Sequence, residues 1–351
     1  GARTSFRLKQ GTDVKLSQGY IYDAVGRLTQ VTNNGTAVVN YTYNGNNSLL
    51  TAVYPASGIT STYTYGTAGQ LLSLVNKKGT NTLSSYNYTY YLDGNRASKT
   101  DAEGTTSYIY DDLGRLIQES VPGSAVRQYT YDNAGNRLSM TISGNQTENT
   151  AYTYDANNRL LKETKTAGDT ITVNDYTYDA NGNQLTMLQT LYEPGESTLQ
   201  ESAFLTVLGE DETGSGIQAK ENTYNVWNQL VAVKTRATAA SYTYGPDGLR
   251  QSKTVNGQTT THIWDGDELA AELNSEGTMT ARYLQGNNLA ASLDNTGAIQ
   301  YYLYNGHGDV TGLTDGSGIV TKTYAYDAFG NEINPGETDT NPFRYCGEYF
   351  D

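Results

Sequence analysis

The 351-residue chain has one cysteine, two histidines, six prolines and five phenylalanines, and each scarcity excludes something. A single thiol, Cys346, cannot form an internal disulfide, so packing and hydrogen bonds must hold the fold, and an exported protein is compatible with that. The histidines, His262 and His307, sit in TTHIWDGDEL and YNGHGDVTG. Neither HExxH nor a Cys/His cluster occurs in the sequence, so no zinc site is indicated. There is no Gly-x-Ser-x-Gly elbow and no Gly-Lys dipeptide, which removes the serine-hydrolase and P-loop readings. Basic residues are outnumbered, 23 against 37 acidic, for a net charge of −14. Nucleic acid and anionic membrane surfaces, which need clustered Lys and Arg, are therefore not expected partners. No apolar run approaches the roughly 20 residues that cross a bilayer, so no membrane insertion is expected. The opening GARTSFRLKQ lacks the apolar core of a signal peptide. It reads as a start in mid-pattern, the mark of an excised fragment.

What is present is 31 tyrosines and 37 glycines, with hydrophobic residues at 36%. That is too aromatic for disorder and too poor in Leu and Ala for a helical bundle. Tyr and Thr favour strands, while Gly, Asn and Asp favour turns. These residues are also ordered in sequence. An aromatic residue that opens a turn recurs about every 21 residues, from Tyr22 and Tyr43 through Tyr244, Trp264, Tyr283 and Tyr304 to Tyr326. One interval, Tyr178 to Tyr224, is about two periods long, as if one copy had lost its marker. A period sustained over most of the chain identifies a repeat architecture.

Each copy has the same grammar. An alternating stretch such as Tyr129-Thr130-Tyr131 places both rings on one face of a strand. Asp-x-x-Gly follows, in which Asp bonds the backbone two residues on and Gly accepts the positive φ of a hairpin. The clearest copies are Tyr22, Asp23, Gly26 and Arg27; Tyr110, Asp111, Gly114 and Arg115; and Tyr131, Asp132, Gly135 and Arg137. Further copies carry Tyr154 and Asp155; Tyr178, Asp179 and Gly182; and Tyr326, Asp327 and Gly330. Arg-Leu, as at Arg115-Leu116 and Arg159-Leu160, starts the return strand. A second turn such as Asn33-Asn34-Gly35 leads to the next copy. One period is thus one β-hairpin of two short strands.

The predicted fold is all-β, with about 14–15 tandem hairpins over residues 1–340. Some 30 strands at ~4.8 Å spacing cannot form one flat sheet. A propeller would pair repeats into blades and double the period to about 42 residues. No such alternation occurs, so a continuous spiral β-sheet shell is preferred, with a propeller or an open β-solenoid as the alternatives. Residues 186–222 read as a degenerate repeat with an insertion. Within it, Leu199, Ala203, Phe204, Val207 and Leu208 fall at near-helical spacing, with a Ser197–Gln200 capping box and Gly209 as a stop. This predicts a short helix at about 198–208 before an acidic loop. A degenerate strand pair with a long loop is the competing reading.

The strings YDAVGRL, YDDLGRL, YDNAGNRL, YDANNRL and YDAFGNEI resemble the YD, or Rhs-type, repeat. The ending NPFRYCGEYFD, with Asn341, Pro342, Phe343, Arg344 and Tyr345, resembles the start of the Rhs-associated core motif, cut short at Asp351. The resemblance covers essentially the whole chain from about Tyr20. It implies a hollow β-shell similar to those of bacterial Rhs polymorphic toxins, the C component of Tc toxins and the animal teneurins. In bacterial members such a shell encloses a variable C-terminal toxin. The partner so implied is a toxin domain encoded downstream, and the implied location is secreted or on the cell surface of a bacterium. The resemblance assigns self-cleavage to Asp residues that would follow Asp351. It also commonly places a small residue where Cys346 stands, and a packed, inert thiol is expected there.

Few residues invite a chemical role. His307 with Asp309 has the makings of an acid–base pair, but a solvated turn explains both. Asp179, Asn181 and Asn183 match the first alternating positions of a calcium loop, yet position twelve is Thr190 and the flanks read as strands. Asp265, Asp267 and Glu268 read as a charged hairpin turn. The Asp and Arg of the repeat recur too often to be a site that does chemistry once; turn bonds and Arg–carboxylate or Arg–Tyr contacts between neighbouring hairpins explain them. The expectation is a non-catalytic scaffold with no cofactor and no metal. The alternative is a surface module that binds carbohydrate or protein through outward-facing Tyr and Trp, Trp264 among them, or through the 186–222 insertion.

Overall fold

The structure is a computed structural model that describes residues 2–123, 125–144, 147–192, 218–336 and 339–349. The helix expected at 198–208 and its acidic loop lie outside the described residues. Twenty-eight strands follow one another, and Tyr345–Gly347 forms a 3-10 turn. Within each unit described below, consecutive strands pair antiparallel, as Asp13–Tyr22 does with Leu28–Asn33 and Leu28–Asn33 with Thr36–Tyr43. Unbroken pairing runs through the nine strands from Ser5–Gln10 to Arg96–Asp101. It also runs through the twelve strands from Gly104–Tyr110 to Arg250–Val255. Four-stranded propeller blades would interrupt these ladders, so the propeller alternative is excluded. The all-β hairpin array is as the sequence implies.

Local chemistry sets both kinds of turn. At the Tyr-Asp end, Asp23 Oδ1 accepts from the Val25 and Arg27 amides, both at 3.0 Å. The Gly26 amide donates to Asp23 O, and Gly26 sits at φ +87°, which only glycine or a short amide side chain accepts readily. The ladder register slips between Ile21 and Tyr22, so each such turn carries a bulge. Asn158 and Asn228 fill the glycine position elsewhere, at φ +62° and +59°. At the other end, Asn34-Gly35 and Asn256-Gly257 have positive φ at both central residues, the tightest hairpin connection available to a twisted strand pair.

Two expectations about the repeat need correction. The long Tyr178–Tyr224 interval is not a lost hairpin. Gln184–Tyr192 pairs directly with Gln218–Tyr224, from Thr186 opposite Glu221 to Gln189 opposite Gln218, so these two strands are neighbours in the ladder. Tyr283 does not open a turn either. The register slip falls between Leu284 and Gln285, so Gln285 holds the marker position. Tyr283 is instead an inner ring, buried like Tyr20 and Tyr129.

The chain divides into two compact units, Gly1–Thr105 with Thr261–Asp351, and Thr106–Thr260. In the first, the N-terminal strands lay one face on the C-terminal strands. Val31, Val39, Ile59, Leu284 and Ala291 are fully buried there, and Tyr54 meets Tyr301 edge-on at 5.3 Å. Polar bonds tie the layers: Asn76 Nδ2 donates to Tyr304 O at 3.2 Å, and the Gly306 amide to Tyr88 Oη at 2.7 Å. The strand Ile299–Tyr304 alternates between two cores. Tyr301 and Leu303 face the N-terminal layer, and Tyr302 and Tyr304 belong to a second cluster with Leu313 and Phe343. In the second unit, Tyr108, Tyr129, Tyr152, Val173 and Ala240 are the buried apolar residues.

Candidate functional site: the repeat lattice and the C-terminal strap

The recurring residues form a bonded lattice. Arg27 Nε donates to Asp23 Oδ2 at 2.6 Å, its Nη1 reaches Asn44 O in the next turn at 3.0 Å, and its guanidinium lies 5.0 Å from the Tyr43 ring centre. Arg115 repeats the pattern with Asp111, Asp132 O and Tyr131, and Arg159 with Asp155, Asp179 O and Tyr178. The Arg–carboxylate contact thus lies within a turn, and the contacts that cross to the next hairpin go to a carbonyl and a ring. Most marker hydroxyls then donate back to the preceding copy. Tyr43 reaches Leu28 O at 2.7 Å, Tyr131 reaches Leu116 O at 2.7 Å, Tyr178 reaches Leu160 O at 2.8 Å and Tyr326 reaches Val310 O at 3.0 Å.

Arg137 departs from its assigned place. Asn136 takes the arginine's position and donates to Asp132 Oδ2 at 2.8 Å. Arg137 lies instead over Tyr152 at 4.6 Å and Tyr129 at 5.9 Å, and Tyr154 Oη donates to its carbonyl at 2.8 Å. Asn183 likewise serves Asp179, whose Oδ1 also accepts from the Asn181 amide, so turn bonding and not calcium ligation occupies this carboxylate. The turn carboxyls are held below the usual range. The cause at Asp23, Asp111 and Asp155 is first the backbone N–H four residues on, and at Asp132 and Asp179 the side-chain amide four residues on. These carboxylates and cations are engaged in architecture.

The strap 339–349 docks on the last strands of its unit. Phe343 is 7% exposed and meets Tyr283 edge-on at 5.0 Å. Arg344, 6% exposed, pairs with Glu332 at 2.6 Å and Asp339 at 3.3 Å, while Lys322 reaches Asp339 at 2.5 Å. The Val310 amide donates to Arg344 O at 2.9 Å, which adds the strap to the wall through backbone. Asn341 Oδ1 accepts from Tyr302 Oη at 3.2 Å, and Asn341 Nδ2 donates to Phe343 O at 2.5 Å. Tyr345 packs on Tyr326 and closes over Gly330, where an added Cβ would lie 2.5 Å from its ring. Pro342, Asn341 and Asp339 line one side of a pocket of about 590 Å³, opposite Glu272, Tyr283 and Tyr302. Glu272 accepts from Tyr349 Oη at 2.7 Å and Tyr283 Oη at 3.0 Å, with buried His262 at 3.6 Å. Burial pushes the Glu272 carboxyl up, and these donors outweigh it and hold it low.

His307, Asp309 and Cys346 also meet here. His307 Nδ1 lies 2.9 Å from Asp309 Oδ1 and 3.8 Å from Cys346 Sγ, and the Cys346 amide donates to Asp309 Oδ1 at 3.0 Å. The expected packed thiol is in fact exposed, because its residue stands at φ +52° on the strap's outer turn. Sequence reading noticed the His307–Asp309 pair but had no signal for the thiol, which arrives from 37 residues beyond Asp309. The Asp265 turn is explained by an ion pair with Arg3. Trp264 is packed against the Leu269 core cluster, contrary to its expected outward role, and the well-exposed tryptophan is Trp227, at 79%. Among the described residues no helix is long and apolar enough to cross a membrane.

Known proteins match this arrangement. The RHS Repeat family matches residues 22–56, 90–126, 110–148, 154–191 and 304–341. The tRNA nuclease WapA of Bacillus subtilis strain 168 is 30% identical over 252 residues, 69% of this chain and 9% of that protein. The tRNA(Glu)-specific nuclease WapA of Bacillus subtilis subsp. natto is 38% identical over 138 residues, 37% of this chain and 6% of its own length. The chain therefore spans less than a tenth of either relative. Among solved structures, the Photorhabdus luminescens Tc holotoxin pore with a mutated TccC3 aligns over 96% of this chain and 20% of that one, at 20% identity and a TM-score of 0.45. With its Tyr-Asp hairpins in register and bonded copy to copy, the chain belongs to the Rhs, or YD-repeat, family.

Proposed function

We propose that the chain is a non-catalytic wall segment of a YD-repeat container that encloses and shields a toxin domain encoded downstream, exported to the bacterial cell surface or beyond. The carrying observation is the lattice. The side chains that recur with the period are committed to joining one hairpin to the next, which suits masonry and leaves no recurrent group for chemistry. The nuclease names of the relatives support a toxin as cargo. Residues 341–351 are taken as the opening of the closing segment, and 186–222 as a degenerate repeat of the wall that carries an insertion.

The test is limited proteolysis of the full-length protein across a denaturant series, read by mass spectrometry. Cargo sites are expected to stay uncut until the concentration at which wall hairpins lose protection. Cargo cut in native buffer as fast as the isolated cargo domain would overturn the container. A second reading, a surface that binds cell-surface glycan or protein, is favoured by one observation: Val226 and Trp227 project from a turn at 89% and 79% exposure. A glycan array compared with its Trp227→Ala counterpart tests it, and binding lost in that variant would put recognition ahead of enclosure.

A further inference from the structure

We propose that His307, Asp309 and Cys346 form a binding site for a borderline-soft divalent cation, Zn²⁺ by preference, which clamps the C-terminal strap to the turn Asn305–Asp309. One ligand atom from each, an imidazole nitrogen, a carboxylate oxygen and Sγ, lies within 4.8 Å of the other two. Tetrahedral zinc at its usual bond lengths sets such atoms about 3.3–3.7 Å apart. The His307–Asp309 separation of 2.9 Å must therefore open by a few tenths of an ångström, and the Cys346–His307 separation of 3.8 Å is already close.

Three further observations point the same way. The carboxylate is oriented before any ion arrives: Asn305 Nδ2 donates to Asp309 Oδ2 at 2.7 Å, and the Cys346 amide to Oδ1. Such outer bonds fix the direction of a ligating group. Cys346 also occupies a left-handed backbone conformation, φ +52°, that a residue with a Cβ adopts at a cost. Glycine would serve the turn better, and the thiol is turned toward His307 by this strained residue. Finally, the His307 ring is steadied by Tyr345, 5.4 Å away.

The donor set selects the metal. Imidazole, carboxylate and thiolate suit zinc, whereas calcium and magnesium take oxygen ligands. Thiolate and carboxylate together balance the two positive charges. On binding, the Cys346 thiol gives its proton to solvent, the Nδ1–H of His307 that donates to Asp309 gives up its proton as well, with Nε2 keeping or taking the ring's one remaining proton, the freed Nδ1 lone pair takes the ion, and no electron is transferred. Three protein ligands leave the fourth position to water.

The experiment is a titration of the purified chain with Co²⁺ in reducing buffer, followed by displacement with Zn²⁺. Expected are one ion per chain, tetrahedral visible bands and a thiolate-to-cobalt charge-transfer band that Zn²⁺ abolishes. Cys346→Gly relaxes the backbone, so it should fold at least as well as the parent. It should nevertheless lose the charge-transfer band and bind at least about 100-fold more weakly, beyond the effect of losing an outer-shell partner. His307→Asn should weaken binding comparably. Absence of the band, its survival in Cys346→Gly, or half an ion per chain (a site shared by two copies) would each overturn the proposal.

Discussion

The two units write the same repeat and bury it differently. In Gly1–Thr105 with Thr261–Asp351, the ring-bearing face of one set of strands meets that of another, and three clusters of Leu, Val, Ile and Tyr fill the space. In Thr106–Thr260, no such cluster occurs among the described residues. Its inner rings are covered from the side: Arg137 lies over Tyr129 and Tyr152, and Arg250 over Tyr242. The same face carries Glu119 paired with Arg127, and Glu163 accepting from Tyr176 and Asn174. Where no aliphatic cluster covers the described face, polar and cationic groups stand in its place, and Tyr129, Tyr152 and Tyr242 each have a guanidinium over the ring. A YD hairpin is therefore a module that tolerates either a packed or a wet inner face.

The sharpest way to break this comparison is to remove the buried cation of the first unit. Arg344→Ala leaves Glu332 without its guanidinium in a largely buried setting, while Asp339 keeps Lys322, and an uncompensated buried charge costs about 3–5 kcal/mol. Chemical denaturation is expected to show the first unit failing early while the second keeps its midpoint; a common shift of both would mean the units unfold as one.

Next comes Gly114→Val in the second unit. A β-branched residue at φ +75° costs about 1–3 kcal/mol, and the repeat passes strain only to neighbours. Hydrogen exchange should quicken in the altered hairpin and the two beside it, and uniform loss of protection along the chain would refute that locality. Smaller still is a paired test of the marker hydroxyl. Tyr304→Phe strands a buried carbonyl at Leu289 and is expected to cost about 1–3 kcal/mol, whereas Tyr131→Phe, half-exposed, should cost about 0.5–1.5 kcal/mol. Equal losses by thermal unfolding would erase the distinction between packed and wet faces.

The smallest effect separates charge from shape. Turn carboxyls such as Asp111 are held below their ordinary value of 3.8, first by the Arg115 amide. A depressed carboxyl contributes stability above 3.8 and loses it as pH falls through its lower folded value. Hairpins closed by Asp should therefore loosen below about pH 3.8, seen by circular dichroism or by amide chemical shifts. Asn44 makes the same two backbone bonds, to Asn46 and Ser48, without a charge. Asp111→Asn should accordingly hold its hairpin at neutral pH and remove its acid sensitivity, and an unchanged acid response at that hairpin would show the charge to be irrelevant.

Much of the fold is legible in the sequence because its decisive interactions are local. Asp23 to Arg27 are five consecutive residues, and their hydrogen bonds close on themselves, so the turn, its bulge and its glycine can be read directly. Arg137 and Tyr283 were misplaced for the opposite reason. Asn136 at the fifth position of an ordinary turn moves Arg137 onto the return strand opposite Tyr131, a hairpin shortened at Gln285 moves Tyr283 off the marker position, and only strand pairing records either change. The Tyr178–Tyr224 interval is of the same kind, since a count of residues cannot show that Gln184–Tyr192 pairs directly with Gln218–Tyr224.

The sequence alone determined the hairpin, its period, its antiparallel pairing and its membership of a repeat family, all of which depend on contacts within about twenty residues. Which face becomes dry was decided only in three dimensions. The meeting of Tyr54 with Tyr301, the docking of Arg344 between Glu332 and Asp339, and the approach of Cys346 to His307 depend on how layers stack. No periodicity encodes those distances, because each copy of the repeat is compatible with several neighbours and the tertiary fold selects one.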